Sequence, residues 1–261
     1  PEITAQTPEG QVISNFGFQD QSYALHWVKH NIRNFGGNPD RIVICGQSAG
    51  PGSVQTQLCS PMNEKGLISG AICQSSVTLS FGDEVSPIGQ DMTLHEAEEY
   101  GETFFNKIGV KTLKEAKKMS AEELMKRLGS VSPQNAMFGY MFGGCVDGKF
   151  VTEPVSRSYY NRRLPDVPMI VGVCQGETQG MFANGKLNYE ELLKKAEVYG
   201  EEKENFLKAA NVNDDTGAQN LVRDYGLNLF LTESREFCEL RSENGNRVYY
   251  YVFDHDIPGD D

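Results

Sequence analysis

The chain of 261 residues holds one tryptophan and four histidines, and it contains no C-x-x-C pair. No Cys/His spacing of the kind that grips zinc occurs, so the motifs call for no metal and no cofactor. Its six cysteines (Cys45, Cys59, Cys73, Cys145, Cys174, Cys238) are widely scattered. In a chain this long they read as free thiols. Cys45, Cys73 and Cys174 sit in apolar, strand-like runs, where a thiol serves as a small core hydrophobe. Basic residues are also short. With 24 Lys+Arg against 36 Asp+Glu the formal net charge is −12, which repels phosphates and anionic lipid, so no nucleic-acid partner is expected. The longest uncharged stretch, Ile42 to Asn63, is punctuated by Gly, Gln, Ser and Pro, which excludes a membrane span there. No internal repeat and no low-complexity segment is found. Nothing near Pro1 has the form of a secretory signal, so the expectation is either that a leader has been removed or that the chain begins inside a longer gene product.

What is present is enough apolar material, 39% of residues, to bury a core. Between Ile42 and Gly82 only Glu64 and Lys65 are charged, which marks that block as the buried centre. The stretches 94–128 and 186–209 are densely charged and read as amphipathic surface helices. Four short runs rich in β-branched or aromatic residues predict strands: Arg41 to Cys45, Gly70 to Gln74, Met169 to Val173 and Val248 to Phe253. Their near-continuous apolarity predicts strands covered on both faces, as in a parallel sheet. Ahead of the first, Ala24, Trp27, Val28, Ile32 and Phe35 recur at helical spacing, and Gly36-Gly37 stops that helix. Helix and strand alternate, so the fold class is α/β, a doubly wound, mostly parallel sheet with helical insertions. Residues 1–261 are expected to form one such domain, with 83–145 inserted over its site. Two loops, Phe81 to Asp91 and Ser130 to Gly144, would lie at the mouth, and the aromatic run Met137 to Phe142 would form a pocket wall or core. Four strands are few, and none is predicted before Arg41, so the sheet is expected to be incomplete at both ends.

The chemistry concentrates at Gly46-Gln47-Ser48-Ala49-Gly50, directly after the first strand and before a segment able to start a helix. This is a G-x-S-x-G nucleophile elbow in the strand-turn-helix context that the motif requires. Gly46 and Gly50 are expected where a side chain would strike neighbouring backbone. Ser48 would be strained, with its hydroxyl projecting above the sheet edge as a nucleophile toward an ester carbonyl. The Ala49 N–H, at the start of the helix, would donate to the developing oxyanion.

These residues sit within a longer pattern. Asn15-Phe-Gly-Phe-Gln-Asp-Gln21, His26-Trp-Val-Lys-His-Asn-Ile32 and Phe35-Gly-Gly-Asn-Pro-Asp-Arg41 lead into the elbow. Ser60-Pro61, Ala71 to Ser76, Val146-Asp147-Gly148 and Asp166 to Gly172 continue it. Together they resemble the type B carboxylesterase family, which includes cholinesterases and bacterial para-nitrobenzyl esterases. The resemblance covers essentially the whole chain. It implies an α/β-hydrolase fold, a small-molecule ester substrate, and an acidic triad member at Glu177, just past an apolar strand. One departure is Gln47, where the family commonly has glutamate. Loss of that charge beside Ser48 is expected to be tolerated, with a slightly lowered histidine pKa.

The triad also needs a histidine. His26 and His30 lie one turn apart upstream of Ser48 and read as packing or surface residues, and His95 sits on a charged helix. His255 alone follows the order Ser, acid, His, yet in the resemblance the catalytic histidine comes further on. The base is therefore expected outside the 261 residues, with His255 the candidate inside them. No H-G-G-G-type oxyanion loop occurs either, so the chain reads as an internal portion, inactive alone. An incomplete sheet would leave an open edge for self-association or complementation. Two other readings stay open: a non-catalytic adhesion or binding member of the same family, and an acyltransferase using the same residues.

Overall fold

A computed structural model describes residues 1–8, 11, 14–77, 92–131, 143–175, 177 and 188–255. The loops proposed for the mouth, and the aromatic run 137–142, lie mostly or wholly outside the described residues. The chain divides into two compact units. The first comprises Pro1–Ile44, Gly52–Gly70 and Thr78–Val167; the second comprises Cys45–Pro51, Ala71–Val77 and Pro168–Asp261.

The first unit is helical. It contains α1 (Glu2–Gln6), α2 (Phe16–Asn31), all but the first turn of α3 (Ala49–Cys59), α4 (Leu94–Lys107), α5 (Leu113–Ala116), α6 (Ala121–Val131) and α7 (Val155–Tyr160). Local chemistry starts several of these. Thr93 caps α4 in a capping box: its hydroxyl accepts from the Glu96 N–H at 3.2 Å, and the Glu96 carboxylate accepts from the Thr93 N–H at 2.7 Å. Asn15 precedes α2 with φ 55°, and its side chain exchanges hydrogen bonds with both backbone groups of Cys145 at 2.8 Å. After α2 a short 3-10 turn, Ile32–Phe35, ends at Gly36, whose φ of 82° suits glycine. Helices α4 to α6 bury their own cluster around Phe104, Ile108 and Val110, flanked by Leu124 and Leu128.

The second unit carries the sheet, with strand order β1 (Val43–Gln47), β2 (Gly70–Gln74), β3 (Met169–Cys174), β4 (Val248–Phe253). β2 and β3 run parallel with Ala71 beside Met169, and β3 and β4 run parallel with Met169 beside Val248. β1 follows the same direction: the Ser69 N–H donates to the Ile42 carbonyl at 2.8 Å, and the Ser48 N–H donates to the Gln74 carbonyl at 3.0 Å. Three further helices, α8 (Tyr189–Lys195), α9 (Lys203–Ala209) and α10 (Asp215–Glu243), complete the unit, and α10 packs on β3 and β4. Asn188 opens α8 with a second capping box, and the Asp214 carboxylate caps α10 by accepting from the Gly217 N–H at 2.7 Å.

All four predicted strands form, the first two residues later than its run at Val43–Gln47, but their burial differs from expectation. β2 and β3 are inner strands, with Cys73, Met169, Val171 and Val173 fully enclosed. β1 and β4 are the outer strands of the described sheet. Val43 is 56% exposed and Phe253 54%, because each strand has one neighbour and lacks full cover on its faces. For the same reason Cys45 is exposed, and so is Cys174 at the end of β3. Neither is the core thiol predicted; Cys73, Cys145 and Cys238 are the buried ones. The apolar stripe expected over Ala24 to Phe35, which runs through α2 into the 3-10 turn, is also open, with Trp27 50% and Phe35 72% exposed. Among the described residues no helix is long and apolar enough to cross a membrane.

Candidate active site

The strand β1 ends at Gln47, the helix α3 begins at Ala49, and Ser48 is the single residue between them. Turning a strand into a helix within one residue requires a backbone excursion. Ser48 supplies it with φ 58°, in the left-handed region that non-glycine residues seldom enter. The strained residue is pinned by its own N–H, which donates to the Gln74 carbonyl at the end of β2, and Ser48 is exposed. The tightness of the bend falls on Gly46. A Cβ there would lie 2.3 Å from the Gly50 carbonyl carbon and 2.7 Å from its Cα. A Cβ on Gly50 would meet nothing within 4 Å, so the steric demand expected of both glycines belongs to Gly46 alone. Gln47 is exposed.

Ala49 is the first residue of α3, so its N–H is among the donors that a helix leaves without an intrahelical acceptor. It lies directly beside Ser48 in the chain.

Glu177 forms a turn just past β3. Its N–H donates to the Cys174 carbonyl at 3.2 Å, and its Oε1 accepts from the Cys174 N–H at 2.9 Å. The carboxylate is thus fixed by backbone. Ser48 and Glu177 follow β1 and β3, so both stand at the carboxyl-terminal edge of one parallel sheet, after strands that are two spacings, about 10 Å, apart. His255 follows β4 on the same edge, exposed, its ring edge-on to Phe253 at 6.2 Å between centroids. The other histidines are engaged in their helices. His26 Nδ1 lies 2.7 Å from the Ser22 carbonyl and Nε2 2.7 Å from Glu64, while His30 Nδ1 lies 2.6 Å from the His26 carbonyl. His95 pairs with Glu99 at 3.5 Å on α4.

Two residues whose part was not read from the sequence also shape this edge. Gln74 supplies the carbonyl that holds Ser48. Ser75, buried with φ 57°, donates its N–H to the Gly172 carbonyl at 2.8 Å and so ties the end of β2 to β3. The signals were their place, Gln74 closing an apolar strand and Ser75 directly after it, and their inclusion in the pattern Ala71 to Ser76. Elsewhere, in the first unit, a cavity of about 560 Å³ opens between α1 and α4, lined by Ile3, Leu94, Glu98 and Phe105 and by none of the site residues above. No group of three or more His, Cys, Asp or Glu side chains among the described residues is placed to hold a metal.

Comparison with known proteins gives the family and the fold. The pattern of the Carboxylesterase family matches residues 5–259. The rat (Rattus norvegicus) bile salt-activated lipase is 35% identical over 177 residues, 64% of this chain and 27% of that protein. The mouse (Mus musculus) acylcarnitine hydrolase is 33% identical over 175 residues, 66% of this chain and 28% of that protein. The crystal structure of a Geobacillus stearothermophilus carboxylesterase superposes with a TM-score of 0.72 at 27% identity, covering 94% of this chain and 50% of that one. The chain therefore spans between about a quarter and a half of the length of these relatives, and its sheet and helices are those of an α/β-hydrolase fold. A strained serine between a parallel strand and a helix, inside a pattern matched from end to end, places this chain in the carboxylesterase family.

Proposed function

We propose that the chain carries the nucleophile and acid of a serine carboxylic ester hydrolase, with a small-molecule ester as substrate. Ser48 Oγ attacks the ester carbonyl while a histidine takes its proton, and the Ala49 N–H donates to the oxyanion. Collapse of the tetrahedral adduct breaks the C–O bond, and the leaving alcohol takes the proton back from the imidazolium. Water then repeats the sequence on the acyl-serine, releasing the acid and restoring Ser48. Glu177 orients the histidine and stabilises its charged form. That histidine belongs outside these 261 residues, so the chain alone turns over little; His255 is the candidate within it. Residues 1–261 form one α/β-hydrolase domain in this reading, with 83–145 as its insertion. Among the described residues the outer edges of β1 and β4 carry no further strand, and in this reading they are available to one from a second copy or a complementary chain.

The observation that carries the reading is the backbone of Ser48, φ 58°, held by the Gln74 carbonyl at the turn from β1 to α3. A binding or adhesion module has no use for a serine strained in this way. The names of the relatives, a lipase, an acylcarnitine hydrolase and a carboxylesterase, support ester cleavage. In the gene product that carries this sequence, Ser48→Ala is expected to abolish both labelling by a fluorophosphonate and hydrolysis of a short-chain nitrophenyl ester. Persistent labelling of the variant would overturn the assignment. An inactive parent protein would favour the adhesion reading, and ester exchange with an added alcohol in place of hydrolysis would favour acyl transfer.

A further inference from the structure

We infer that Gln57 is a positioning residue for Ser48 and Ala49, acting through the length of α3; the inference rests on the reading of Ser48 as nucleophile. Gln57 lies nine residues beyond Ser48, about 13 Å along the helix at 1.5 Å per residue. It is 3% exposed, and an amide buried that deeply costs stability unless its donors and acceptor are all used.

They are all used. Gln57 Nε2 donates to the Phe18 carbonyl of α2 at 2.8 Å and to Gln21 Oε1 at 3.2 Å. Gln57 Oε1 accepts from Asn63 Nδ2 at 2.9 Å, and the second Asn63 Nδ2 proton goes to the Gln57 carbonyl at 2.7 Å. Asn63 Oδ1 in turn accepts from Ser22 Oγ at 2.6 Å, and Gln21 Nε2 donates to Ser53 Oγ at 3.2 Å. The network joins α2, α3 and the loop after α3, and it uses every side-chain amide group of Gln57 and Asn63.

Its position suggests a task that packing cannot perform. Val54 and Leu58 bury α3, but apolar contact is non-directional and tolerates a small slide or rotation of the rod. Hydrogen bonds at 2.6 to 3.2 Å to partners on two other segments remove both freedoms. An oxyanion donor must hold its place to roughly 0.5 Å, and a misplacement of about 1 Å costs on the order of 100-fold in rate. Locking the far end of α3 thereby locks the amide at its start.

The test uses the gene product that carries this sequence and compares three variants. Gln57→Met keeps the length and removes the amide. Gln21→Ala removes one partner of Gln57 at an exposed position and serves if Gln57→Met fails to fold. Thr56→Val is the structural control, because the Thr56 hydroxyl is buried but bonds only within α3, to the Gly52 carbonyl at 2.8 Å. Two quantities are read: the saturating rate of Ser48 phosphonylation by a fluorophosphonate, separated from probe affinity, and the backbone hydrogen exchange of Ala49 and Gly50. Gln57→Met is expected to slow the saturating rate about 10-fold at unchanged affinity and to speed that exchange, and Gln21→Ala to do both about 3-fold. Thr56→Val is expected to lower the melting temperature and move neither. The inference is overturned if the two network variants leave rate and exchange within experimental error of the parent, or if Thr56→Val alters them equally. A parent protein whose Ser48 does not react would refute the nucleophile reading, while the exchange measurement would still decide the role of Gln57.

Discussion

Replacing Gly46 by alanine adds one methyl group, and the structure states what it meets. The new Cβ would stand 2.3 Å from the Gly50 carbonyl carbon, 2.6 Å from its oxygen and 2.7 Å from its Cα. Ordinary contact needs about 3.5 Å, so the two backbones must part by roughly 1 Å. No flexible side chain is available to give way. Overpacking of this kind costs about 1 to 3 kcal/mol, and backbone against backbone places the expected value near the upper end. The displacement falls on the turn that holds Ser48 and Ala49. A shift of about 1 Å there should reduce the rate on the order of 100-fold, beyond any loss of folded protein. Gly50→Ala provides the internal comparison. Its Cβ meets nothing within 4 Å, and alanine favours a helix over glycine by about 1 kcal/mol, so that variant should be neutral or slightly stabilised. Thermal melts and fluorophosphonate labelling of the two variants, side by side, give both readouts. If Gly46→Ala retained the parent's melting temperature and labelling rate, or if Gly50→Ala were the more damaged of the two, the steric account of the elbow would be wrong.

Two further outcomes are expected. Glu233 on α10 has its carboxyl pushed up to about 7 by burial, with the Glu236 carboxylate adding to it. An acid whose folded pKa exceeds its unfolded value resists ionisation in the fold, so stability should fall as pH rises from about 4.5 through 7. Glu233→Gln should therefore raise the melting temperature at pH 8 and leave it unchanged at pH 4; an equal effect at both would refute the shift. In the sheet, a Cβ on Gly172 would lie 2.3 Å from the ring of Tyr251 on β4, so Gly172→Ala should cost about 1 to 3 kcal/mol in denaturant melts. Adding Tyr251→Ser should recover part of that loss, and simple additivity of the two changes would speak against the contact.

The sequence was most readable where one physical effect decides the outcome. Gly70 to Gln74 and Val248 to Phe253 form strands with the bounds that their apolar runs predict, because β-branched and aromatic residues between turn formers have few alternatives. The elbow was readable because a nucleophile between strand and helix restricts the residue types around it. Which strands lie inside was not readable: Ile42 to Cys45 and Met169 to Val173 look alike in composition, and only the number of neighbours separates an outer strand from an inner one. Cys45 was misplaced for that reason, whereas Cys174 is exposed because it is the last residue of the inner strand β3, at the sheet's edge. The amide network of Gln57 left no trace either, since Gln21, Gln57 and Asn63 are polar residues that a linear reading assigns to the surface. Of the three only Gln57 is buried, and its burial follows from three segments meeting, which no local pattern records.

The exposed Cys45 and Cys174 also make the protein a ready substrate for site-directed spectroscopy. Burial pushes the Cys73 and Cys238 thiols up to about 12, so maleimide chemistry near neutrality should pass over both. The exposed sulfurs lie on β1 and at the end of β3, the two strands that lead to Ser48 and Glu177, while Cys59 at the end of α3 is half-buried. With Cys59 replaced by serine, a pair of labels on Cys45 and Cys174 would report the spacing of the two sheet positions directly.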